Sequence, residues 1–117
     1  MTYTKQTLSG SAYGQQILIT ATTSGSATLI HTAVAGTTST DEIWLYAYNE
    51  ATASVLLSIN WGSTVEPASA NRATIPSQSG RVLIVDGKLL CNSLTVSAYA
   101  TTGSVICIDG FVNRIVP

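Results

Sequence analysis

The sequence predicts an all-β fold: an antiparallel β-sandwich, jelly-roll-like in layout, with an extended N-terminal arm. Three observations carry that prediction. Apolar residues recur with a period of two in short runs, the alternation that puts one strand face on a core and the other outside. Clusters of Gly, Ser, Asn and Thr separate the runs, as they do in sandwiches and jelly rolls. Thr and Ser are abundant, at 17 and 14 of 117 residues, Pro occurs only three times, and no stretch sustains a 3.6-residue period.

The elements follow in order. Residues 1–14, MTYTKQTLSGSAYG, hold little apolar content and two Gly, and read as an extended arm that either frays or docks on a neighbour. One domain is expected over residues 15–117, a length sufficient to bury a core. Strands are predicted near Gln15–Thr20, Ala27–His31, Glu42–Tyr48, Val55–Asn60 and Arg72–Ile75. They continue near Arg81–Val85, Lys88–Cys91, Leu94–Ala100, Ser104–Ile108 and Phe111–Val116. Between them, Asn49-Glu50-Ala51-Thr52 reads as a hairpin loop. Asp86-Gly87 is the short-range signal for a tight hairpin. Gly103 breaks YATT from SVICI, and Gly110 marks a bulge or a switch between sheets.

The strand Ile43–Tyr48 is the most telling. Alternation puts Ile43, Leu45 and Ala47 on one face and Trp44, Tyr46 and Tyr48 on the other. A sheet with one wet side should show a polar second face, but here the second face is aromatic with polar tips. That mix suits a protein interface, and it also suits a central strand whose tyrosine row is half covered by a loop.

Charge favours the interface. Only eleven side chains are fully charged, where an average domain of this length would carry roughly 29. Size scaling gives about 6,000 Å² of surface, about one charge per 550 Å². A surface so poorly charged associates readily, so the chain reads as a building block of an assembly. A net charge of −1 and five dispersed basic residues give no footprint for nucleic acid or an anionic membrane. The longest apolar runs fall far short of a bilayer span, and the N-terminus lacks the pattern of a secretory leader.

The chemistry of catalysis is sparse. His31, the only histidine, sits beside Ile30 in an apolar strand and reads as a satisfied structural residue. Asp41 and Glu42 are adjacent, so as strand residues they point to opposite faces. With Glu50, Glu66, Asp86 and Asp109 they show no convergent set, and no nucleophile, phosphate-loop or zinc motif occurs. Cys91 and Cys107, in LLCN and VICI, read as buried free thiols, with a disulfide between them the less favoured alternative. Trp61, followed by Gly62, either caps the core edge or stacks on a sugar or a base. No enzyme, metal or cofactor is expected. The residues expected at contacts are Trp44, Tyr46, Tyr48, Trp61, Tyr3 and Tyr13.

Two stretches carry a family resemblance over about residues 27–115. They are ATLIHTAVAGTTSTDEIWLYAYNEATASVLLSINWG and ATIPSQSGRVLIVDGKLLCNSLTVSAYATTGSVICIDGF. Their V-A-G-T-T turn, I-P-x-x-x-G and G-x-V-x-V-x-G-F-like ending resemble small β-sandwich virion proteins of tailed bacteriophages. The likeness is greatest to head decoration (cement) proteins, with Val34-Ala35-Gly36 standing where that pattern usually has a Pro before the A-G turn. The resemblance implies a symmetric homo-oligomer, a trimer above all, seated on the major capsid protein at the virion surface after assembly in the host cytoplasm. A tail, fibre or adaptor component is the alternative. A lectin-like carbohydrate-binding module is the alternative from another class, suggested by Trp44, Tyr46, Tyr48 and Trp61.

Overall fold

A computed structural model describes residues 1–63, 65 and 69–117, and its described residues form a sandwich of two antiparallel sheets. The strands are β1 (Thr2–Thr7), β2 (Ile17–Ile19), β3 (Thr28–Thr32), β4 (Thr40–Asn49), β5 (Val55–Trp61), β6 (Ala70–Ile75), β7 (Val82–Leu90), β8 (Thr95–Ala100) and β9 (Ile106–Val116). A 3-10 turn, Ser24–Ser26, precedes β3. The first sheet runs β1-β9-β4-β7, with β2 also paired to β9; the second runs β3-β8-β5-β6.

From β2 onward the chain changes sheet at every connection except the β5–β6 hairpin. β1 and β2 lie end to end along β9, as one interrupted edge strand. Counted that way, eight strands in two four-stranded sheets have the connectivity of a jelly roll. Alternation builds the core. Ile43, Leu45 and Ala47 of β4 and Ile106, Ile108 and Val112 of β9 point inward, fully buried, against Leu57 of β5 and Val96, Ala98 and Ala100 of β8. Small alanines facing large aliphatics let the layers interdigitate at the density of a protein interior.

Several expectations from the sequence are corrected by this topology. Asn49–Thr52 is not a hairpin loop, because β4 and β5 belong to different sheets. The Asn49 amide bonds Ala53 O (3.0 Å) and Ile75 O (2.8 Å), and its Oδ1 accepts from Ala51 N, so the crossing loop is tied to the end of β6. Nor does Asp86-Gly87 reverse the chain. β7 runs straight through, and its register against β4 slips between Ile43↔Lys88 and Trp44↔Asp86. Gly87 is the extra residue of a bulge, in the left-handed conformation (φ +82°) that glycine adopts without a steric penalty. Trp44 lies so close above it that a Cβ would sit 2.9 Å from the indole.

Gly110 is neither a bulge nor a sheet switch. β9 pairs with β4 without a break from Ile106 to Ile115, with Gly110 opposite Leu45. The stretch 1–14 divides. Thr2–Thr7 pair with Phe111–Val116 as β1, Leu8 is buried in the core, and residues 9–16 cross toward β3, where Gly10 N donates to Ile30 O (2.9 Å).

Candidate surface on the outer face of the first sheet

β4 is the central strand of this surface, flanked by β9 and β7. With Ile43, Leu45 and Ala47 turned inward, Trp44, Tyr46 and Tyr48 line up outside, each half-buried. Neighbouring side chains shield them, and Gln16, from the segment before β2, bonds Tyr48. Phe111, directly across from Trp44 in the β4–β9 register, stacks on it with centroids 6.0 Å apart and 12° between planes. The Lys5 amine sits 4.8 Å above the Phe111 ring, and the Arg81 guanidinium 3.6 Å above Tyr46. Arg81 also reaches Asp109 (3.4 Å), to which the Tyr48 hydroxyl donates at 3.1 Å. Leu83 and Leu89 of β7, opposite Tyr46 and Glu42, extend the apolar surface and are about half exposed.

Electrostatics on this face are locally consumed. Glu42 accepts from the Trp44 indole (2.8 Å) and the Asn113 amide (3.1 Å). The Trp44 bond first, then the Asn113 bond, holds its carboxyl below the usual carboxylate range. Burial and the Asp109 carboxylate together raise the Tyr48 hydroxyl. The charges therefore brace rings and strands, and little is left to steer a distant partner.

The expected contact residues fall into three places. Trp44, Tyr46 and Tyr48 share this face, and Tyr3 joins it at the β1 edge, where it lines a 330 Å³ groove with Glu42, Asn113 and Ile115. Trp61 does not join them. It ends β5 in the other sheet, packs on the core edge and carries the Lys88 amine 4.8 Å over its ring. Tyr13 stands apart as well, at a turn beyond the sandwich edge. Phe111, Leu83 and Leu89 were missed by sequence reasoning. Continuing the period-2 alternation along β9 through Gly110 finds Phe111; Leu83 and Leu89 require the bulged register of β7.

The other titratable residues settle into structure. His31 and Asp41 are fully buried, with Nε2 2.8 Å from Asp41 Oδ2. Ser9 N–H donates to Nδ1 (3.0 Å), so Nε2 carries the ring proton and donates to Asp41. Arg114 grips the same carboxylate at two points (2.8 and 3.1 Å), and Val34 N–H adds a further bond (3.1 Å). Burial raises the Asp41 carboxyl, but the bonds from Arg114 and His31 outweigh it and leave it below the usual range. Glu42 points the other way, outward. Glu66 lies outside the described residues. Cys91 and Cys107 are unbonded and, contrary to expectation, only partly buried. Burial and then the Glu50 charge push the Cys107 thiol up, away from reactivity. Among the described residues no three His, Cys, Asp or Glu gather as a metal would need, and no helix is long and apolar enough to cross a membrane.

Comparison with protein-family models, characterised proteins and solved structures returned no match to this chain.

Proposed function

We propose that this chain is a non-enzymatic structural subunit of a phage virion: a capsid decoration protein that self-associates and braces the head lattice. One observation carries the reading. A half-buried aromatic ridge, flanked by exposed leucines, occupies the outside of a rigid sheet in a molecule with eleven charged residues on a 5890 Å² surface. That is a face suited to being covered by protein. The double-sheet jelly roll, an architecture that recurs in viral capsid and lectin domains, supports it by analogy, as does the likeness of the turn segments to decoration proteins.

The mechanism is mechanical. Each copy bridges neighbouring capsid subunits, and the lattice multiplies modest contacts through multivalency. Apolar burial at about 25 cal/mol per Å² can hold such contacts without ion pairs, which contribute only about 0–1 kcal/mol each at a surface. Particles lacking the protein should therefore release their genome at a lower temperature than complete particles. Attachment should persist from low to high salt, because screening acts on exposed charges. Equal release temperatures, or detachment at moderate salt, would turn the assignment toward a tail, fibre or adaptor role.

A further inference from the structure

Tyr13 breaks two rules at once. It is fully exposed, at 101 % of its reference area, and its φ of +55° lies in the left-handed region that a bulky side chain seldom adopts. Gln15 N donates to Ala12 O (2.9 Å), closing a four-residue turn whose central pair, Tyr13 and Gly14 (φ +86°), both have positive φ. This is a type I′ turn, whose first central position favours Asn, Asp or Gly. Tyrosine there costs local stability and buries nothing within its own chain.

The base of the turn is firmly held. Ser11 Oγ donates to Gln15 O (2.6 Å), Gly10 N to Ile30 O, and Ser9 bonds both His31 and Thr32. Strain held in place on a fixed base, with an aromatic ring at its tip, points to a contact made elsewhere.

The turn stands where the sandwich begins in both sheet orders, beside β1–β2 and β3. At the opposite ends of those orders lie β6 and β7, and between them opens a 460 Å³ groove. Half-buried Ala73 and Ile84 line it above a floor of buried Leu57 and Ile59, and Asn71, Arg72, Asp86 and Lys88 supply its polar lining. An aromatic ring fits that chemistry: Ala73 and Ile84 for its faces, cationic side chains in the lining, and the Asp86 carboxylate to accept a hydrogen bond from the phenol.

We infer that Tyr13 of one copy seats in the β6–β7 groove of the next. Knob and groove lie on opposite sides of one molecule, so the contact is head-to-tail. Repeated, it closes a ring or extends a filament, whereas a two-fold contact would stop at a pair. The inference rests on the self-association in the proposed function and specifies the surfaces that make it.

Two single substitutions test it in the full chain by light scattering and sedimentation. Tyr13→Asn removes the knob while placing a favoured residue at the strained position, so its melting temperature should equal or exceed that of the wild type. Its self-association should nevertheless weaken about thirtyfold, the loss of a hot-spot tyrosine. Asn71→Trp, at an exposed position on the groove side of β6, should block the groove with the same loss. Mixed, the two variants retain one knob and one open groove between them, and should form a pair that grows no further.

An oligomeric wild type whose mass survives Tyr13→Asn would overturn this contact and leave the assembly reading standing. A wild type that stays monomeric at micromolar concentration would overturn both.

Discussion

Replacing Asp41 with alanine is expected to destabilise the protein by about 3–5 kcal/mol, the cost of breaking a buried ion pair from one side. The carboxylate is fully buried and receives four bonds, from His31 Nε2, Val34 N and two nitrogens of Arg114. Its removal strands a guanidinium, a ring N–H and a backbone N–H together. The loss should spread, because Asp41 on β4 joins β9 through Arg114 and β3 through His31. His31 in turn holds Ser9 at the base of the Tyr13 turn. Urea denaturation of the variant should show the full loss in its midpoint, and a loss below about 1 kcal/mol would mean the network relaxes around the gap.

The same group sets an acid limit. Hydrogen bonds from Arg114 and His31 outweigh burial and keep the folded pKa of Asp41 below its unfolded value of about 3.9. As pH falls the unfolded chain takes up its proton first, so the stabilisation is complete above about pH 4 and is lost as pH drops through the folded pKa. Asp41→Asn should flatten that acid limb of the stability curve. An unchanged limb would assign acid lability to other carboxylates.

How much of this was legible in the sequence depended on whether the cause was local. Strand positions were legible, because alternation is written residue by residue: Ile43, Leu45 and Ala47 turned inward as the pattern requires. So was the opposition of Asp41 and Glu42 across one strand. The ends and partners of strands were not. β7 and β9 each read as two strands, since Asp86-Gly87 and Gly110 look like turn punctuation. Both glycines instead answer to Trp44, some 40 and 65 residues earlier in the chain. Asn49–Thr52 carries the same turn chemistry whether the chain doubles back or crosses to the other sheet; the ties to Ile75 and Gln78 decide that, and they are long-range.

The candidate surface shows the same division. Trp44, Tyr46 and Tyr48 announced themselves by spacing, but Phe111 joins them only through the β4–β9 register. Trp61 resembled them in composition and went elsewhere, because composition does not say which sheet a strand enters. Tyr13 was legible as an aromatic in a polar stretch. Its backbone conformation, which carries the inference about assembly, was not.

The second large effect is expected at Gly110. Substituting alanine there should cost about 3 kcal/mol or more, at the upper end for overpacking, because the obstruction is backbone. A Cβ would lie 1.9 Å from the Trp44 carbonyl oxygen, 3.0 Å from its carbon and 3.2 Å from Leu45 Cα. No rotamer relieves that, so β9 and β4 must separate at the centre of the first sheet. The Trp44–Phe111 stack beside it would open, and the outer face would lose its shape along with its stability.

Gly36→Ala makes the comparison. Its φ of +82° also favours glycine, but a Cβ there meets nothing within 4 Å, so only the conformational penalty of about 1–2 kcal/mol applies. For a chain of this size each kcal/mol lowers the melting temperature by about 4 °C, so Gly110→Ala should melt about 12 °C or more below the wild type. Gly36→Ala should melt about 4–8 °C below it. Tryptophan fluorescence should report a loosened Trp44 in the first variant only. Equal losses in the two would show that conformation, and not the close approach of β9 to the β4 backbone, is what holds position 110 to glycine.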